Sequence, residues 1–208
     1  RDKTRTNHGS FKRKRRLGVH QTHKNRYFMK LIIKTVITIV LAATAHNIHA
    51  QTDPVKLPAG FAWGADLGGA IDLTGNDMSS INLDARFGYR RGIVNFFGIG
   101  AGINMMVSKS NRVFPVYALF QSNFRTKPSL CFFDCRIGCA FANLADNQNQ
   151  TPLYASPGIG VNLAKGKNFS SHIILSYQYL GLKNYTDSKT THNLNGIHMA
   201  AVRLGVSF

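Results

Sequence analysis

The stretch Gly196-Ile-His-Met-Ala-Ala-Val-Arg-Leu-Gly-Val-Ser-Phe208 decides how the chain folds. Counting back from Phe208 in steps of two gives Val206, Leu204, Val202, Ala200 and His198 on one face. The other face reads Ser207, Gly205, Arg203, Ala201, Met199 and Ile197. Toward Phe208 the alternation is clean, apolar on one side and small or charged on the other. A period of two is the signature of a β-strand.

From Phe61 onward seven more segments alternate in the same way. Residues 61–73 set Phe61, Trp63, Ala65, Leu67, Ile71 and Leu73 against Ala62, Gly64, Asp66, Gly68, Ala70 and Asp72. Residues 81–90 set Ile81, Leu83, Ala85, Phe87 and Tyr89 against Asn82, Asp84, Arg86, Gly88 and Arg90. In 95–107, Phe97, Ile99, Ala101, Ile103, Met105 and Val107 oppose Gly98, Gly100, Gly102 and Asn104. In 113–125, Phe114, Val116, Ala118, Phe120 and Phe124 oppose Tyr117, Leu119, Gln121 and Asn123. In 130–142, Cys131, Phe133, Cys135, Ile137, Cys139 and Phe141 oppose Asp134, Arg136, Gly138 and Ala140. Residues 153–164 set Ala155, Ile159, Val161 and Leu163 against Tyr154, Ser156, Gly158, Gly160 and Asn162. Residues 169–180 set Phe169, Ile173, Leu175, Tyr177 and Tyr179 against Ser170, His172, Ser176 and Gln178. Pro115 and Pro157 fall inside two of these segments, where a closed sheet wants ladder donors.

The connections alternate in character. Short basic turns (Arg90-Arg91-Gly92, Arg125-Thr-Lys-Pro128 and Lys165-Gly-Lys-Asn168) alternate with polar loops around 74–80, 108–112, 143–152 and 181–195. The segments suit tilted membrane strands, which need about 9–11 residues, and short turns opposite longer loops are the habit of bacterial outer-membrane barrels. Aromatics gather at the turn side: Phe61, Trp63, Phe87, Tyr89, Phe97, Phe124, Phe133, Phe169 and Phe208. A sparser set, Phe114, Phe141, Tyr177 and Tyr179, lies toward the loops. Two such girdles are expected where rings meet lipid headgroups.

Charge sorts by face. The polar faces carry Asp66, Asp72, Asp84 and Asp134 against Arg86, Arg90, Arg136 and Arg203. The apolar faces carry no Asp, Lys or Arg, and Arg125 closes the polar face of 113–125 at a strand end. Lipid cannot solvate a charge, whereas a polar interior can pair one. The inward glycines suit a narrow barrel packed with side chains. The expectation is an all-β, eight-stranded, antiparallel, up-and-down transmembrane barrel over 61–208, its lumen filled by paired Asp and Arg. A soluble β-sandwich would place its charges outside, and a soluble barrel with a dry exterior interface is the remaining alternative.

The net charge of +17 would ordinarily raise nucleic acid as a partner. Its distribution argues against that. Residues 1–28 hold ten Lys or Arg and one Asp, while the residues after 50 hold fourteen Lys or Arg and eight Asp. Segment 1–28 has almost no apolar content and reads as disordered. It is either a basic nucleic-acid-binding arm or upstream translation, and the second is favoured because Met29 opens an export signal. From Met29, Lys30 and Lys34 precede an apolar run from Thr35 to Ala45, and small residues lead to Ala50-Gln51. This is a signal peptide over 29–50, cleaved after Ala45 or Ala50. Its apolar run falls short of the roughly 20 residues that span a bilayer. Residues 51–60 form a lead into the barrel.

By alternation, loop pattern and the terminal Val206-Ser207-Phe208, residues 57–208 resemble the small eight-stranded outer-membrane barrels of the OmpA transmembrane-domain and OmpX type. They resemble more loosely the Bacteroidetes "outer membrane protein beta-barrel domain" proteins. The loops are shorter than those of OmpX. The resemblance implies a Gram-negative outer-membrane location, reached through the signal peptide, with outer-membrane lipid as the surrounding partner. It also implies that Val206 and Phe208 form the signal read by the barrel assembly machinery.

No motif points to a cofactor. Cys131, Cys135 and Cys139 share one strand face about 13 Å apart at each step, too far for a disulfide between neighbours. They lack the close-set pairs of zinc sites, so they read as small side chains facing lipid. His172 shares a face with Ser170 and Ser176, and Asp72 stands toward the loop rim, which leaves a rim hydrolase acting on lipid or peptide as the third reading of function. A narrow porin-like channel is the second. A structural or surface-interaction role, with loop 181–195 as the place for an extracellular partner, is the first.

Overall fold

The computed structural model describes residues 58–107, 111–124, 130–144, 148–166, 168–187, 190–192 and 194–208, with backbone alone over 185–192. The basic segment 1–28, the export signal 29–50, residues 51–57 of the lead, Arg125 and Lys167 lie outside the described residues. Eleven strands form, in chain order: β1 (Gly60–Asp72), β2 (Ser80–Arg91), β3 (Val94–Met106), β4 (Arg112–Asn123), β5 (Cys131–Leu144), β6 (Gln148–Gln150), β7 (Leu153–Lys165), β8 (Ser170–Leu180), β9 (Tyr185–Asp187), β10 (Thr190–His192) and β11 (Ile197–Ser207). Eight of them are the expected segments, displaced by no more than two residues at either end.

Every neighbouring pair is antiparallel. The order runs β1-β2-β3-β4-β5-β7-β8-β11, and β11 returns to pair with β1 through Gly64–Ser207 to Asp72–Met199. The result is a closed eight-stranded up-and-down barrel. Closure matters because an open edge would leave a row of unpaired N–H and C=O groups. The seam is also pinned by side chains: Trp63 on β1 stacks on Phe208 with ring centroids 4.6 Å apart. Trp63 N donates to Phe208 O, and Phe208 N donates to Trp63 O.

Two polar loops hold strand structure that alternation does not reveal. β6 folds back on β5 through Ala142–Gln150, and β9 and β10 make a small hairpin within loop 181–195. Both are short and polar, so no apolar period marks them. The prolines sit where a ladder is interrupted. Pairing of β3 with β4 skips from Ala101–Val116 to Asn104–Val113 around Pro115, and that of β7 with β8 from Ala155–Tyr179 to Gly158–Ser176 around Pro157.

The faces are inverted relative to a water-soluble barrel. Arg86, Arg136 and Arg203 are among the largest fully buried side chains, while Phe61, Leu67, Phe97, Ile99 and Leu175 are 59–72% exposed. The interior is not polar throughout. At its loop-side end Met78, Met106, Val113, Leu144, Leu180, Leu182, Leu194, Ile197 and Met199 pack into an apolar stopper. The paired Asp and Arg side chains lie deeper, in the middle of the lumen. The stopper forms because loop residues Met78, Leu182 and Leu194 fold over the rim and meet inward Met and Ile residues that bury apolar surface away from water.

Inward glycines leave the volume that the large polar side chains fill. A Cβ on Gly205 would collide with Asp66 Oδ1 and His172 Nε2, one on Gly102 with Asp84 Oδ1, and one on Gly160 with the Phe132 ring. On the outward face, a Cβ on Gly69 would meet only Ser80 O at 3.7 Å. Gly205→Ala is therefore expected to destabilise the barrel by about 1–3 kcal/mol through overpacking, and Gly69→Ala to be neutral. Urea unfolding in lipid vesicles, followed by the fluorescence of the single tryptophan, Trp63, measures both; equal midpoints would contradict this account of the glycines.

Candidate functional site in the lumen

The centre of the lumen is built around Arg136 on β5. Its Nη2 lies 2.7 Å from Asp66 Oδ2 on β1, its Nη1 3.4 Å from Asp84 Oδ2 on β2, and its Nε 3.1 Å from Asp134 Oδ1 two residues back on its own strand. Nη1 also donates to the Tyr117 hydroxyl at 3.1 Å, and that hydroxyl donates to Asp84 Oδ1 at 3.0 Å. The Tyr117 ring lies under the guanidinium, 5.4 Å from its carbon. Gln121 Nε2 donates to the remaining oxygen of Asp134 at 2.7 Å. Three carboxylates from three strands thus converge on one guanidinium whose planar fork of donors suits them.

Two further arginines extend the network along the walls. Arg203 on β11 lies 3.6 Å from Asp84 Oδ2. It donates to Ser156 and Ser176 through Nη1 and to Tyr154 and Gln178 through Nη2, at 2.6–3.1 Å. Arg86 on β2 reaches Asp66 Oδ1 at 3.4 Å and donates to Ser207 Oγ at 2.6 Å, its guanidinium resting on Phe96. Asp66, Asp84 and Asp134 balance Arg86, Arg136 and Arg203. Serines and tyrosines satisfy most donors that the carboxylates do not reach, as buried polar groups require.

Of the eight charges expected in the lumen, the structure brings these six together and sets two apart. Asp72 stands at the loop-side rim. Its carboxylate accepts from Thr74 N (2.7 Å), Asn76 N (2.7 Å), Met78 N (3.1 Å) and Thr74 Oγ1 (2.5 Å). An Asp before a turn takes up backbone donors readily, and here it shapes the turn that passes through Gly75 (φ 78°) and Asp77 (φ 57°). Arg90 lies at the turn-side end, its Nε donating to Asn95 O at 3.2 Å. Among the described residues no carboxylate pairs with it.

His172, on β8, belongs to the network and not to the rim. Its Nε2 lies 3.0 Å from Asp66 Oδ1 and 3.0 Å from Arg86 Nη2. One ring nitrogen can serve only one of these contacts, as donor to the first or acceptor from the second. Ser176 takes a bond from Arg203 and Asp72 is occupied by its turn, so neither meets His172, while Ser170 lies two residues along β8 on the same face as His172.

On the outer wall Phe61, Trp63, Phe87, Tyr89, Phe97, Phe124, Phe169 and Phe208 are exposed and Phe133 is half-buried. Val206 is exposed on the same face as Phe208. None of the three cysteines is in a disulfide, and they face outward, Cys135 between Phe120 of β4 and Pro157 of β7. Near the loops Tyr177 hydrogen-bonds His198, whose ring also meets Tyr179 at 5.2 Å.

Arg136→Met would leave three buried carboxylates short of their common partner. We expect a loss of about 3–5 kcal/mol, the cost of breaking a buried pair on one side. Arg91→Met, at an exposed position, should stay within about 0.5 kcal/mol. The urea midpoint in vesicles decides, and an unchanged midpoint for Arg136→Met would remove Arg136 from its central position.

No family model matches the chain, and no curated protein matches it. Among solved structures the chain is similar to the N-terminal β-barrel domain of Pseudomonas aeruginosa OprF, at 15% identity over 73% of this chain and 100% of that one, TM-score 0.45. It is similar to Neisserial surface protein A, at 13% identity over 72% of this chain and 95% of that one, TM-score 0.44. It is also similar to the Yersinia pestis outer membrane protein Ail in a phospholipid bilayer nanodisc, at 15% identity over 72% of this chain and 99% of that one, TM-score 0.38.

Proposed function

We propose that this chain is an outer-membrane barrel with a structural or surface-interaction role, and that its lumen is closed to solutes. The observation that carries the reading is the inversion of faces. Three arginines are sealed inside while phenylalanine, leucine and isoleucine cover the outside. In water such an exterior would be an apolar patch around the whole molecule, far beyond what a soluble monomer exposes. In a bilayer it matches its solvent, and the eight barrel strands of 11–14 residues are long enough to cross.

The remaining features fit this reading. The turn-side aromatics form one girdle at the headgroup level. The segment 29–50 directs export, and Val206 with Phe208 serves as the signal to the assembly machinery. The paired charges in the middle and the apolar stopper at the loop end fill the lumen. The β9–β10 hairpin within loop 181–195 is the surface for an extracellular partner.

Expressed from Met29, the protein should appear in the outer-membrane fraction and migrate differently on gels before and after boiling. In a planar bilayer it should give no sustained conductance. A soluble periplasmic product without a heat shift would overturn the membrane reading, and a steady open channel would replace the closed lumen with a narrow pore.

A further inference from the structure

The turn-side end of the lumen differs from the rest. The middle balances three acids with three bases, and the loop end is apolar. At the turn end sit Arg90 and Lys165, and Arg86 reaches toward them from the network. Arg90 and Arg86 repel one another, as do Lys165 and Arg90. The acid in contact with any of the three is Asp66, which Arg86 already shares with Arg136 and His172.

Lys165 reaches this place through a fault in the sheet. Asn162 faces inward, so strict alternation would send Lys165 to the outer wall. The pairing of β7 with β8 instead runs Asn162–His172, then Ala164–Ser171, then Lys165–Ser170. The extra residue reverses the faces, and Lys165 stands opposite the buried Ser170 on the lumen side. One comparable bulge lies on β3, where an extra residue between Val94 and Phe97 shifts the pairing with both β2 and β4. Bulges commonly re-aim a side chain beside a functional site.

The donors here are underused. Arg86 spends Nη2 on Asp66, Ser207 and His172, while its buried Nε and Nη1 have no hydrogen-bond partner among the described residues. Arg90 is only 7% exposed and donates through Nε to one backbone carbonyl. Lys165 is half-buried. Three cations gathered with one shared carboxylate repel each other, and partial burial weakens the screening that water would supply. Guanidinium forks beside an ammonium are the chemistry that holds phosphate oxygens.

We propose that the turn-side mouth of the lumen, framed by Arg86, Arg90 and Lys165, is a binding site for a phosphate-sized oxyanion. At this end Arg91, Gly92 and Ile93 are exposed, at the level of the turn-side aromatics Tyr89 and Phe169. The oxyanion is therefore either free in solution or the headgroup of a phospholipid in that leaflet.

Calorimetry on the folded full-length barrel in dodecyl maltoside tests this, with heat-dependent gel mobility as the check that each variant is folded. One arm titrates inorganic phosphate, and the other uses micelles doped with phosphatidic acid. Saturable binding in at least one arm is expected. It should weaken by about tenfold or more in Arg90→Gln and in Lys165→Gln, the loss of one charged hydrogen bond. Arg91→Gln, at an exposed turn position, should bind as the unaltered protein does. Binding of phosphate assigns a soluble ligand, and binding of phosphatidic acid alone assigns the lipid headgroup. Flat isotherms in both arms, or equal affinity in all folded variants, would overturn the site.

Discussion

Arg136 carries a charge that the interior of this barrel can hold only if Asp66, Asp84 and Asp134 stand within reach at once. Those residues lie on β1, β2 and β5, far apart in sequence and adjacent to one another only partly in the sheet. Their convergence demands a narrow barrel, and the narrow barrel in turn demands that facing positions give up their side chains. Gly102 yields to Asp84, and Gly205 yields to Asp66 and His172. The glycine-rich inner face and the ion cluster are thus one arrangement seen from two sides.

A buried ion network is weak evidence for stability, because well-packed apolar residues could fill the same volume as favourably. Its stronger effect here is on register. A strand that slips by one residue turns every side chain to the opposite face. For β5 such a slip would send Arg136 and Asp134 into the outer wall and bring Ile137 and Cys135 inward. The penalty applies on β1, β2, β5 and β11 together, since each contributes a charge. Apolar alternation alone would tolerate slips of two residues, which keep the faces. The charges would not, because Arg136 would then miss Asp66 and Asp84.

Much of this could be read from alternation because the two faces of these strands meet opposite surroundings. Charges vanish from the outer wall and concentrate inside, so the eight barrel strands were legible to within two residues. Where one of those contrasts fails, the sequence falls silent. Asp72 has the right parity for the lumen, but it lies one residue before a turn and the backbone of that turn claims it. β6, β9 and β10 are three-residue polar segments, too short to show a period. The apolar stopper leaves no period, because Met199 and Ile197 share a face with Arg203, Gly205 and Ser207, and because Met78, Leu182 and Leu194 come from loops. Nothing in residues 162–165 announces the bulge that brings Lys165 inward, so the sequence alone reads as a basic turn there.

The bulges follow from how the two ends of the barrel are closed. On the loop side, connections such as residues 73–79 are long enough to absorb a mismatch between neighbouring strands. On the turn side Arg91 pairs directly with Val94, leaving Gly92 and Ile93 to reverse the chain, with Gly92 at φ 59°. A two-residue connection fixes the local pairing by its own geometry. Any disagreement with the register set by the charges deeper in the lumen must then be taken up within the strands. It is taken up just inside the turns, by an extra residue on β3 within 94–97, which shifts its pairing with both neighbours, and by one on β7 within 162–164. The irregularity that a tight turn forces is therefore placed at the one end of the lumen where a side chain, once redirected, meets water and not lipid. A cation such as Lys165 can turn inward there without entering the sealed middle, which its unpaired charge would destabilise.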